Sequence, residues 1–145
     1  MSQQYPADFL IFSPNDVDLT RSPLRSSLNE ETFVLGAFNP GMTRLANGNL
    51  LMMVRIAESL RTPIRNDQIH SIRWDPQFGY QLDAYPLAQV NASDPRKFQV
   101  LGYQSKVMAL TSYSWILPVE LSANGKEVVQ VHYDHALKPE RTYQE

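Results

Sequence analysis

Short apolar and β-branched runs, separated by clusters of turn-forming residues, set the pattern of this chain. They fall at residues 9–12, 33–38, 50–56, 98–103, 106–110, 115–121 and 128–133. Gln68-Ile69-His70-Ser71-Ile72-Arg73-Trp74 adds a run of alternating apolar and polar positions. No long stretch keeps a helical period, and 10 prolines and 6 glycines punctuate the chain. Asn47-Gly48 and Asn124-Gly125 predict tight type I′ hairpins, whose two central residues both need positive φ. Asp75-Pro76-Gln77-Phe78-Gly79 predicts a slightly longer turn between Trp74 and Tyr80. Strands joined by local hairpins imply antiparallel meanders, so the expected fold class is all-β. Regular hairpin spacing suits the blades of a propeller and a sandwich almost equally. The polar segment 13–31, with Pro14 and Pro23, reads as an extended arm or loop with a short helical turn.

Composition narrows the function classes. With 145 residues, 43% hydrophobic and 19% charged, the chain can form one domain with a real core. The formal net charge is −2, and no basic stripe offers itself to a phosphate backbone, so nucleic acid is not an expected partner. The absence of cysteine removes disulfides and thiolate metal sites. Met1-Ser2-Gln3-Gln4-Tyr5-Pro6 has no basic start or apolar run of the signal-peptide kind, and the longest apolar stretch, Leu50 to Val54, is too short to span a bilayer. The expectation is a soluble, cytoplasmic protein without a membrane partner.

The informative chemistry lies in Phe38-Asn39-Pro40-Gly41-Met42 and in the strand from Leu50 to Glu58. Arg55 follows a continuously apolar run, and a guanidinium cannot be neutralised there, so it needs a partner. Glu58 stands three residues on. The two could form a structural salt bridge at a strand end, or grip sugar hydroxyls from two sides as donor and acceptor. Pro40 predicts an extended Asn39, whose amide can donate and accept together or simply cap a turn. Gly41 is expected to permit a backbone conformation or close approach that a side chain would forbid.

These residues, in this order, resemble the β-mannoside phosphorylases and related hydrolases, glycoside hydrolase family one hundred and thirty. The resemblance is carried by Phe38-Asn39-Pro40-Gly41, the Asn47-Gly48 hairpin, the apolar run from Leu50 to Val54, Arg55 and Glu58. Ile69-His70-Ser71-Ile72-Arg73-Trp74 is similar to that family's second sugar-proximal strand, and the likeness is strongest over residues 33–75. It implies a five-bladed β-propeller in which Asn39, Arg55 and Glu58 contact a mannose-like sugar in a central funnel. A single Glu between Ala57 and Ser59 departs from the adjacent acidic residues more usual in the family. The resemblance also implies an inverting displacement at the anomeric carbon, by inorganic phosphate or by water, with an aspartate as acid. No cofactor is implied beyond phosphate as a co-substrate.

That acid belongs to a segment of Gly-x-(Glu/Asp)-Asp-(Pro/Ala)-Arg type, which this chain lacks. Asp94-Pro95-Arg96 has similar letters but follows Asn91-Ala92-Ser93 in what reads as a polar turn, and residues 140–145 read as the approach to the missing segment. A propeller of ~5 four-stranded blades needs roughly 250 to 350 residues. The division expected is therefore an N-terminal arm at 1–32 and the first blades of a truncated propeller at 33–145, inactive alone. Such a piece would pair with the missing part or form a homo-oligomer to cover its strand edges. The alternative is a non-catalytic all-β carbohydrate-binding or interaction module.

Other clusters read as structural. On a strand, His132 and Asp134 would share a face while His135 pointed away, a poor three-ligand geometry, so no metal is expected. His70 reads as polar-face packing, Met52-Met53 as core filling, and Tyr103, Tyr113 and Trp115 as core residues or a sugar-stacking platform. No Ser-His-Asp set, phosphate-cradling loop or dinucleotide fingerprint is present.

Overall fold

The computed structural model describes residues 9–94, 96–102 and 107–140. Pro95, Tyr103 and the 141–145 tail, each part of an expectation above, lie outside the described residues. The fold is all-β, with ten antiparallel strands in two sheets among the described residues. The first sheet has the order β1 (Thr32–Arg44), β2 (Leu50–Leu60), β9 (Ser112–Leu121), β10 (Val128–Val131). The second runs β3 (Ile64–Arg65), β4 (Gln68–Asp75), β8 (Val107–Leu110), β7 (Lys97–Val100), β6 (Val90–Asp94), with β5 (Gly79–Pro86) on the other edge of β4.

The first sheet is not a simple meander. Hairpins β1–β2 and β9–β10 are local, but β2 pairs with β9 in unbroken register from Leu50↔Leu121 to Ser59↔Ser112, and the whole second sheet lies between them in sequence. Alternation explains the match. Met52, Val54, Ile56 and Leu60 of β2 and Tyr113, Trp115, Leu117, Val119 and Leu121 of β9 all turn to one face and are buried. Ile72 and Tyr80 from the second sheet complete this core, while Ile69, Phe98, Val100 and Ala109 form a smaller cluster.

Segment 13–31 is a packed strap of three short 3-10 turns, Pro14–Asp16, Leu19–Arg21 and Leu24–Ser26. Leu24 and Leu28 are buried in the main core. Ser27 Oγ accepts a hydrogen bond from the Tyr80 backbone N–H at 2.7 Å. Gly79, at φ 76°, must be glycine there, because a Cβ would stand 2.5 Å from that oxygen. The Tyr80 hydroxyl donates to the Pro139 carbonyl at 2.6 Å, and burial raises its pKa above the ordinary tyrosine range.

Several local expectations are corrected. Residues 9–12 form no strand: Ser13-Pro14 opens a turn, and only Ile11 and Phe12 reach the core while Phe9 and Leu10 are exposed. Neither Asn-Gly pair makes a type I′ turn. The Gly48 N–H bonds Leu45 O and the Gly125 N–H bonds Ser122 O, so each glycine comes after the two central residues and alone takes positive φ. The two-residue turn with positive φ at both positions is Asn66-Asp67, between β3 and β4. Residues 91–93 are not a turn but part of β6, paired to β7.

A single carboxyl group ties these parts together. Glu58 is fully buried, with Oε2 accepting from Ser22 Oγ at 2.5 Å and Trp115 Nε1 at 3.0 Å, and Oε1 from Thr32 Oγ1 at 2.5 Å. Glu58→Ala strands three buried donors and is expected to lower the unfolding free energy by roughly 3 kcal/mol or more. Urea unfolding followed by tryptophan fluorescence checks this. A loss below about 1 kcal/mol would show that the carboxyl group is not the tie.

Candidate functional site

Strand parity separates the residues that the sequence grouped. In β2 the even positions from Leu50 to Leu60 face the core, and Leu51, Met53, Arg55, Ala57 and Ser59 face the other way. Arg55 and Glu58, three apart on a regular strand, therefore project from opposite faces. The structure forms neither their salt bridge nor their two-sided grip. Glu58 sits in the core, and Arg55 is on the exposed face.

Arg55 is nonetheless held. It lies opposite Phe38 of β1 and Ile116 of β9. Its guanidinium carbon stands 5.1 Å from the centre of the Phe38 ring, and its Nε donates to Ser114 Oγ at 3.1 Å. No carboxylate among the described residues pairs with it. The ring and the hydroxyl hold the guanidinium, and its terminal N–H groups make no hydrogen bond to a described residue.

Asn39 lies beside Phe38 in a bulge. Between the pairs Phe38↔Arg55 and Gly41↔Met53, β1 has two residues where β2 has one. Asn39 takes up the extra length at φ 50°, not the extended conformation expected before proline. Asparagine is among the few side chains that tolerate this region, because its short amide can satisfy nearby groups. Gly41 then needs no special freedom: its φ is not positive, and a Cβ there would meet open space. Asn39 is exposed and its amide is unpartnered among the described residues. Bulges that re-aim a side chain recur next to functional sites.

A second polar group, which the sequence reading did not single out, lies further along the same face. Glu120 of β9 faces Leu51 of β2. It accepts from Asn49 Nδ2 at 2.9 Å and Asn47 Nδ2 at 3.3 Å, and its other oxygen is 2.9 Å from His132 Nε2. The hydrogen bonds from Asn49, His132 and Asn47 hold its pKa below the ordinary carboxylate value. The signal was available, since a carboxylate between the apolar positions Val119 and Leu121 must point to the opposite face. His132 and Asp134 do not share a strand face as expected. The strand ends at Val131, Tyr133–His135 is a 3-10 turn, and Asp134 pairs with Arg21 at 3.2 Å.

The remaining candidates are structural. His70 Nδ1 is 3.0 Å from the Pro63 carbonyl. Tyr113, Trp115 and Met52 are core residues, so no aromatic platform forms from the first two. Asp94 lies at the end of β6, bonded to Arg96 Nε, Nη2 and backbone N–H, which together hold its pKa low. No group of three or more metal-ligating side chains occurs among the described residues. No helix among them is long and apolar enough to cross a membrane.

No protein-family model and no curated protein matches the chain. Among solved structures, it is similar to a β-1,2-mannobiose phosphorylase from Listeria innocua in complex with β-1,2-mannobiose, with a TM-score of 0.59 and 22% sequence identity. The likeness covers 89% of this chain and 34% of that one, so the chain spans about a third of that enzyme's length. At this identity the likeness establishes a shared fold.

Two outcomes follow from the geometry. Asn39→Gly should fold with equal or greater stability, whereas Asn39→Val should lose roughly 1–2 kcal/mol, because a β-branched residue resists positive φ; thermal unfolding of both variants checks this. For Glu120 the lowered folded-state pKa means that its stabilisation is complete above the ordinary value of 4.5 and fades as pH falls below it. Glu120→Gln should flatten that part of the stability curve, measured by denaturation at a series of acidic pH values.

Proposed function

We propose that this chain contributes the sugar-holding face of a carbohydrate-active β-propeller, with Asn39 and Arg55 contacting a β-mannoside-like ring. The observation that carries the reading is the Asn39–Pro40 bulge beside the Phe38↔Arg55 pair. Asn39, whose amide has no partner among the described residues, follows Phe38, whose ring packs on the Arg55 guanidinium, and both polar residues are exposed. A guanidinium supplies fixed donors and an amide supplies both a donor and an acceptor, which is the complement that vicinal hydroxyls require. The fold shared with a protein solved around a mannobiose supports the same ligand class.

Glu58 enters this proposal as the residue that fixes β2, not as a sugar ligand. The catalytic acid is supplied from outside this chain. Asp94 is unsuited to that task, since a general acid needs a raised pKa and Arg96 keeps this carboxyl group ionised. Attack by inorganic phosphate or water, and closure of the ring by further blades or by a second copy, belong to the same proposal.

The test is titration with methyl β-mannoside, followed by ligand-observed NMR. Arg55→Ala is expected to weaken binding by roughly tenfold or more while leaving the folded spectrum intact. Equal binding by parent and variant would return Arg55 to a purely structural role.

A further inference from the structure

The two local hairpins of the first sheet turn on the same tripeptide, Ala46-Asn47-Gly48 between β1 and β2 and Ala123-Asn124-Gly125 between β9 and β10. In each the asparagine is exposed and the glycine takes positive φ. Each glycine N–H bonds the carbonyl three residues back, Leu45 O at 3.0 Å and Ser122 O at 2.8 Å. Such a pair carries an intrinsic reactivity. The glycine nitrogen, unhindered by a side chain of its own, can attack the carbonyl of the asparagine side chain. Sequence and engagement of the nucleophile are therefore matched at the two sites.

The surroundings of the side-chain carbonyl differ. Asn124 Oδ1 accepts from the Ser122 hydroxyl at 2.7 Å and from the Lys126 backbone N–H at 3.0 Å. That hydroxyl is oriented in turn by the Glu127 N–H, 3.1 Å from its oxygen. Two donors aimed at an oxygen that becomes an oxyanion lower the barrier to attack. The Asn124 Nδ2, the leaving group, makes no hydrogen bond to a described residue. Asn47 Oδ1 has a single donor, the Asn49 N–H at 3.0 Å, and its Nδ2 is held by Glu120 Oε1 at 3.3 Å. The Glu120 carboxylate also opposes negative charge developing on Asn47.

We propose that Asn124 is a site of spontaneous deamidation and isomerisation in the folded chain, and that Asn47, in the same tripeptide, is protected. The Gly125 nitrogen bonds to Cγ of Asn124, the Cγ–Nδ2 bond breaks, and Nδ2 leaves as ammonia, carrying by way of water the proton that the glycine nitrogen gave up. One water molecule then opens the cyclic imide. Attack at Cγ leaves aspartate, and attack at the main-chain carbonyl leaves isoaspartate, with the chain routed through the side chain. Either product adds a negative charge to the tip. The second also lengthens the backbone by one atom inside the turn that sets β10 against β9. This inference is independent of the carbohydrate reading.

The experiment incubates the intact chain at mildly alkaline pH and follows the amide-to-acid mass gain at each asparagine by mass spectrometry of acidic digests. In the folded chain Asn124 is expected to react roughly tenfold faster than Asn47. In urea the identical tripeptides should react at about the same rate. Ser122→Ala should slow Asn124 severalfold in the folded chain only, and Glu120→Gln should speed Asn47. Equal rates at the two sites in the folded parent, or a faster Asn47, overturn the proposal. So does an undiminished Asn124 rate in Ser122→Ala that circular dichroism shows to be folded. Should that variant not fold, Glu120→Gln decides, and an Asn47 rate no faster than in the parent overturns the protection.

Discussion

Four parts of the chain meet at one buried carboxyl group. Ser22 brings the strap, Thr32 the start of β1, and Trp115 the centre of β9, all onto Glu58 of β2. Each of these donors would cost free energy if buried without an acceptor, so the group fixes the relative placement of its neighbours more than any apolar contact can. Hydrophobic burial is tolerant of small slides. A carboxyl group with three donors at hydrogen-bond distance is not. With β2 pinned in this rotation, alternation turns Arg55 outward, and the exposed face acquires its chemistry as a consequence of what is held inside.

The two faces of the first sheet thus divide the work. One is an aliphatic and aromatic core closed by Leu24 and Leu28 from the strap and by Ile72 and Tyr80 from the second sheet. The other carries polar groups held in fixed geometry by their neighbours: Arg55 by a ring and a hydroxyl, Glu120 by two amides and an imidazole. Side chains fixed in this way lose little further freedom when a ligand arrives, which favours recognition of weakly binding polar molecules.

Much of the strand content was legible, because the runs at 33–38, 50–56 and 115–121 are short, apolar and bounded by turn residues, and residues 68–74 alternate. What was lost has identifiable physical causes. After Val90, strand β6 is built from Asn, Ala, Ser and Asp, residues depleted in strands, and its pairing with β7 makes it a strand. Residues 9–12 have strand-like composition but no partner, and composition without a partner is insufficient. The turn at Asn66-Asp67 lacks the glycine that marks such turns, whereas Asn47-Gly48 has it and places the glycine one position later. The opposition of Arg55 and Glu58 could have been read directly, since positions three apart on a regular strand never share a face. The pairing of β2 with β9 could not, because nothing local encodes a partner across an entire intervening sheet.

That intervening sheet has its own implication. The Leu60 N–H bonds the Thr111 carbonyl at 3.0 Å, so the chain leaves β2 and re-enters at β9 from adjacent points. Topologically, residues 61–111 are an excursion spliced into the tip of a β2–β9 hairpin. The polypeptide can therefore vary this excursion in length and content without disturbing the register on either side of the splice, as loop insertions are tolerated where their ends already meet. Ile72 and Tyr80, with Trp74, Leu82 and Leu110 packed beside them, tether the excursion to the main core, and they set the limit on how freely it could be exchanged for another module.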